Sequence, residues 1–210
     1  FPFANHLYTY VSEPLRALLP EGSSMIATEV TSPFLTPFKL SLVLAVFVAM
    51  PMILAQVWGF IAPGLYKSER RIAVPLLASS VVLFYGGVAF AYYVVFPLLF
   101  GFFTTVGPGD IAVMTDINRY LDFVLKLFFA FGLAFEVPVA AVILILSGVV
   151  TADQLANNRS YVIVGCFVMG MLLTPPDVIS QTLLALPMWL LFEVGLIMGR
   201  VLSRGNLDDE

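Results

Sequence analysis

From Ile72 to Phe103 the chain carries no charged side chain. A hydrocarbon core about 30 Å thick is crossed by a helix of about 20 mostly apolar residues. In lipid, every backbone N–H and C=O must find its partner within the protein. Such a run reads as a membrane-spanning helix and excludes an open strand. Four further runs share its character. Phe38 to Ile61 is broken only by Lys39 and Gln56. A run from about Tyr120 to Val150 holds Asp122, Lys126 and Glu136. Tyr161 to Leu173 is short, and Val178 to Met198 holds Glu193.

Composition points the same way. Sixty per cent of the residues are hydrophobic and 11% are charged, against about a quarter charged in an average soluble domain. Charge this sparse cannot cover a soluble globule of 23.0 kDa. Intrinsic disorder, nucleic-acid binding and nearly every soluble enzyme are excluded. Cys166 is the single cysteine, so no disulfide forms within the chain, and it reads as a small buried hydrophobe. His6 is the single histidine, and no HExxH, CxxC or phosphate-loop motif is present. No metal, nucleotide or other cofactor is expected.

The expected architecture is an all-α integral membrane protein, a polytopic helical bundle forming one membrane domain over residues 1–210. Spans are placed at 38–61, 72–98, 120–147, 160–173 and 178–199. Lys67, Arg70, Arg71, Arg159, Arg200 and Arg204 fall on one side, which the positive-inside rule makes cytoplasmic. That puts loops 62–71 and 148–159 and the tail 200–210 inside, and residues 1–37 outside. The other side holds Arg16 and Arg119, with Lys39 and Lys126 near helix ends.

The outer segment has a helical stripe of Leu7, Tyr10, Val11, Leu15, Leu18 and Leu19, expected to form an amphipathic helix on the membrane. Ser32-Pro33 and Thr36-Pro37 carry a helix-start signature. The chain opens at Phe1 within a membrane-proximal stretch, and a preceding piece is expected. Pro51, Pro75, Pro97, Pro138 and Pro187 lie inside spans and should bend them. The fourth span, between Arg159 and Pro175, is short for a bilayer and should thin it or sit in a protected cavity.

Glu136, in FGLAFEVPVA, is the most informative residue. A carboxylate deep in a membrane costs several kcal/mol and usually serves a function. Pro138 also frees the carbonyl of Ala134, so a polar spot is expected there. Glu69, in YKSERR, is either a solvated first-turn acid or an acceptor for a guanidinium fork. Thr174-Pro175-Pro176-Asp177 fits a capping box with Thr174 as N-cap and Asp177 at N3. Gln181, one turn on, should hydrogen-bond to another helix, with Met171 and Thr174 close by. Phe60 borders the first cytoplasmic loop. Glu193 and Arg200 read as snorkelling side chains.

The segments PFLTPFKL, QVWGFIAPGLYKSERR, AFGLAFEVPV and GMLLTPPDVISQTLLALPMWLLFE, in this order, resemble the TatC family. The resemblance implies the core membrane subunit of the bacterial twin-arginine translocase. It implies a cup-shaped bundle of six helices in the inner membrane, of which five lie here. The family's first helix and the cytoplasmic segment before it are expected to lie outside this sequence. It also implies export of folded proteins driven by the proton-motive force, without enzyme activity. Glu69, Phe60, Arg70 and Arg71 would form the signal-peptide-binding surface. Glu136 would be the intramembrane polar site, and Pro175, Pro176 and Asp177 the last periplasmic loop. Gln181, Met171 and Thr174 would dock the single-span partners TatA and TatB. Several copies of the chain are expected in one complex, with no nucleic acid. The alternative is a secondary transporter or proton-coupled channel centred on Glu136.

Overall fold

The computed structural model describes residues 9–13, 26–61, 70–106, 115–174 and 177–205, with side chains for all of these except 60–61, 70–73, 104–106 and 204–205. Helix dominates. The elements are α1 (Ser32–Ile61), α2 (Arg70–Phe90), a π-helical turn (Ala91–Val95), α3 (Phe96–Val106), α4 (Ile117–Ala134), α5 (Val137–Leu146), α6 (Ala152–Asn157), α7 (Arg159–Leu173) and α8 (Val178–Gly205). Among the described residues, four stretches are long and apolar enough to cross a membrane: Ser32–Gly59, Val74–Phe103, Ile117–Leu146 and Val178–Ser203. The apolar helix Arg159–Leu173 is shorter, at 15 residues.

Several local features depart from the sequence reading. The first helix starts at Ser32 rather than Phe38. The first Ser-Pro pair opens it, and the Ser32 N–H is satisfied by Glu29 O at 3.1 Å. The expected loop 148–159 contains the short helix α6. Thr151 caps it, accepting from Gln154 N while the Gln154 side chain accepts from Thr151 N. Of the amphipathic stretch, residues 9–13 are helical and the rest lies outside the described residues.

The prolines act unequally. Helix continues through Pro51, Pro75 and Pro187. The π-turn immediately precedes Pro97, where one backbone donor is missing. A non-helical step at Phe135–Glu136 precedes Pro138. α5 ends at Gly148, which takes φ 70°, the left-handed conformation a glycine adopts without steric cost.

The chain forms two compact units, residues 1–49 with 89–129, and residues 50–88 with 130–210; the divisions fall inside α1, α2 and α4. In the first unit, Phe47 meets Phe128 and Phe129 edge-on at 6.2 and 4.8 Å, and Phe96 lies 5.2 Å from Phe128. Tyr120 donates to Val11 O at 2.9 Å, fixing the 9–13 turn. Lys39 pairs with Asp122 at 2.5 Å and donates to Asn118 at 3.3 Å. Residue 26 bridges to 116 through Ile26 N→Thr115 O and Ile117 N→Ile26 O.

In the second unit, Trp58, Leu76, Val139, Val142 and Leu146 form a core cluster. α8 packs along α5 and α7. The approach to α5 is close: a Cβ on Gly195 would fall 2.5 Å from Pro138 Cα.

Candidate functional site

Glu136 sits at the break between α4 and α5. Pro138 has no N–H to donate to Ala134 O, which weakens the helical ladder at this step. The backbone tightens instead, with Glu136 N donating to Leu133 O at 3.0 Å. The Glu136 carbonyl accepts from Ala140 N at 2.9 Å and starts α5. Glu136 lies within the apolar stretch Ile117–Leu146. Its Oε1 is buried and has no hydrogen-bond partner, a state that costs about 1–3 kcal/mol for a buried acceptor.

Ser80 of α2 and Trp58 of α1 were not singled out from the sequence. Ser80 is 1% exposed, and its Oγ accepts the Trp58 indole N–H at 3.3 Å. Helix packing sets the register. Phe84, one turn beyond Ser80, lies against Gly132, one turn before Glu136; a Cβ on Gly132 would come within 2.6 Å of the Phe84 ring. Gly87, a further turn on, abuts the Phe131 carbonyl.

A groove of about 430 Å³ opens beside this break in the same unit. Ala134 and Val137, flanking the break, line it with Gly165, Cys166 and Met169 of α7 and Phe192 of α8. Cys166 is thus half-buried on a groove wall rather than fully enclosed.

The α7–α8 hairpin revises the expected capping. Thr174 does not cap α8. It ends α7 in an extended conformation, and its hydroxyl donates back to Gly170 O at 3.0 Å. A residue before proline is steered away from helix, which places Thr174 outside both helices. Asp177 is the N-cap instead, with Oδ1 accepting from Ser180 N at 2.7 Å. Gln181 packs against Gly170, whose Cβ would stand 3.4 Å from Gln181 O. Met171 is exposed.

Glu193 and Arg200 are both ion-paired. Arg159 binds Glu193 through two nitrogens, and Arg200 Nη2 lies 3.1 Å from Asp153 Oδ1. Glu69, Pro175 and Pro176 lie outside the described residues. Phe60 ends α1 and Arg70 and Arg71 open α2, their side chains outside the described set.

Long apolar helices of this number and length define a polytopic helical membrane protein. The family model described as Sec-independent protein translocase protein (TatC) matches residues 1–187. The Sec-independent protein translocase protein TatC of Azotobacter chroococcum mcd 1 is 67% identical over 199 residues, spanning 95% of this chain and 78% of that protein. The Escherichia coli protein of the same description is 58% identical over 198 residues, spanning 94% and 77%. A crystal structure of the twin arginine translocase receptor TatC superposes with a TM-score of 0.85 at 38% identity, over 96% of this chain and 88% of that one. The chain belongs to the TatC family.

Proposed function

We propose that this chain is the signal receptor and scaffold of a translocase that carries folded proteins across the bacterial cytoplasmic membrane, driven by the proton-motive force. The observation that carries the reading is the TatC family match over residues 1–187. The four long apolar helices and α7 serve as five spans, with the N-terminal segment outside. At 15 residues, α7 is about 22 Å long, shorter than a hydrocarbon core of about 30 Å, and thins the membrane locally.

Recognition begins at the cytoplasmic end of α1 and α2. Glu69 accepts the forked guanidinium of a signal arginine through charge-assisted hydrogen bonds. Phe60 offers an aromatic face, and Arg70 and Arg71 orient the approach. The apolar part of the signal then enters the membrane beside Glu136. Gln181, Met171 and Thr174 dock the single-span partners TatA and TatB, and several copies of the chain assemble in one complex.

The test is photo-crosslinking in membranes from a probe at position 68, beside an intact Glu69, to a signal peptide bearing Arg-Arg or Lys-Lys. Crosslinking to Arg-Arg and its loss with Lys-Lys is the expected result. Equal crosslinking to both, or to neither, overturns the receptor reading.

A further inference from the structure

Within residues 117–129 of α4, only Arg119 and Lys126 are exposed; the rest are buried or half-buried. Seven residues apart, they share one face of the helix and stand about 10 Å apart along its axis. The acids of this stretch are already engaged. Asp122, one turn before Lys126, is taken by Lys39 at 2.5 Å. Asp116 is filled by Thr28 N, Thr28 Oγ1, Asn118 N and Arg119 N. Among the described residues, no ion pair reaches the Arg119 guanidinium or the Lys126 ammonium.

Tyrosines mark the level of this face in the membrane. Tyr120, next to Arg119, donates to Val11 O at 2.9 Å and sets the 9–13 turn beside the start of α4. Tyr10 of that turn stacks on Tyr92 at 5.2 Å, and its hydroxyl lies 3.3 Å from that of Tyr93. Tyr10 is 53% exposed and Tyr93 66% exposed. Exposed tyrosines gather where hydrocarbon meets the headgroups. Arg119 therefore stands at the headgroup layer, and the Lys126 backbone lies about 10 Å deeper. A lysine at that depth runs its stem back toward the interface. Helical side chains lean toward the N-terminal end, which here is the interface end of α4.

We propose that Arg119 and Lys126 form a binding site for the headgroup phosphate of an anionic phospholipid, in the leaflet at the N-terminal end of α4. Only the name of that leaflet, the outer one, rests on the orientation proposed above. Arg119 presents a planar fork and Lys126 a point charge from the hydrocarbon side. The exposed stripe is one side chain wide. A docked helix would engage positions three and four residues on as well. Those positions are occupied: Asp122 by Lys39 of α1, and Phe123 by Phe100 and Phe103 of α3 at 6.0 and 6.4 Å.

The test is native mass spectrometry of the full-length protein in detergent, titrated with phosphatidylglycerol or phosphatidylcholine of matched acyl chains. The variants are Arg119→Gln, Lys126→Gln, both together, Arg119→Lys, and Arg200→Gln as a control of equal charge change. Each lost cation should weaken the tightest phosphatidylglycerol binding about fivefold, and both together about 25-fold. Arg119→Lys should keep most of the affinity and Arg200→Gln all of it. Excess inorganic phosphate should leave the bound lipid in place. The double variant should unfold at the parent's temperature without lipid, and only the parent should gain stability when phosphatidylglycerol is added. Equal affinity for the two lipids, unchanged binding by the double variant, or displacement by inorganic phosphate overturns the inference. Loss of a co-purifying protein subunit from the double variant, with lipid binding intact, gives the two cations to a protein partner and overturns it equally.

Discussion

Arg159 and Glu193, on α7 and α8, meet as a two-pronged ion pair: Nε lies 2.7 Å from Oε1 and Nη2 lies 2.7 Å from Oε2. The Glu193 side chain is only 19% exposed, so solvent replaces little of what the guanidinium supplies. Arg159→Ala should destabilise the folded protein by about 1–2 kcal/mol. Arg159→Lys should recover only part, since an ammonium cannot present the planar fork. Thermal unfolding in detergent measures both, and the exchanged pair Arg159→Glu/Glu193→Arg should regain stability over either single variant. The Arg200–Asp153 pair is a useful contrast. Asp153 is 90% exposed, and Asp153→Ala should change stability little.

Two adjacent glycines should respond oppositely to the same substitution. A Cβ on Gly86 meets nothing within 4 Å, whereas one on Gly87 runs into the Phe131 carbonyl. Gly86→Ala should be neutral or stabilising by up to about 1 kcal/mol through helix propensity. Gly87→Ala should cost about 1–3 kcal/mol, because backbone rather than a side-chain tip must give way. Equal unfolding temperatures for the two variants would contradict the close approach of α2 and α4.

Asp177 caps α8 through Ser180 N. Asp177→Ala should therefore cost about 0.5–2 kcal/mol, and Asp177→Asn, which keeps a side-chain oxygen, much less. Hydrogen exchange at the first turn of α8 is the direct measurement. Faster exchange should be confined to Asp177→Ala.

Asp116 predicts an acid-sensitive attachment. Its Oδ2 accepts from Thr28 Oγ1 at 2.6 Å and Thr28 N at 2.9 Å, and its Oδ1 from Asn118 N and Arg119 N at 2.9 Å each. The Thr28 hydroxyl, followed by the backbone N–H groups, holds this carboxyl well below the usual carboxylate range. A depressed folded-state value means that the stabilisation is fully present above the unfolded value, about pH 4, and is lost as pH falls through the folded value. Protease cleavage within 26–31 should rise only below about pH 4 in the native chain. In Asp116→Asn it should be raised at neutral pH and change little on acidification.

Charge inside an apolar run was the strongest signal in the sequence, and Glu136 was legible for that reason. The pairing of two side chains near it was not. A serine in a membrane helix is ordinary, and the contact of Ser80 with Trp58 crosses 22 residues of chain. Arg159 and Glu193 carried no sign of their pairing because it spans 34 residues. Helix α6 escaped because ADQLAN has no apolar stripe, although its Thr151–Gln154 capping box was open to inspection. The capping of α8 was misread for a local reason. Thr174 and Asp177 both suit an N-cap, and the two prolines between them push Thr174 into extended backbone, leaving the role to Asp177. The family resemblance reached further than any of these patterns, because it rests on whole segments.

The π-turn at Ala91–Val95 sets the phase of the second long span. An α-helix continued from the buried pair Ala91 and Val95 would next turn Leu98 inward, since successive residues advance by about 100°. Leu98 is instead 50% exposed, while Phe96 and Leu99 are fully covered. The wider turn inserts one residue of angular delay. Within residues 89–103, the covered positions before the turn and those after it belong to two different helical frames. Removing one residue between 91 and 95 would leave a straighter helix and turn Phe96, Leu99 and Phe100 off their partners together.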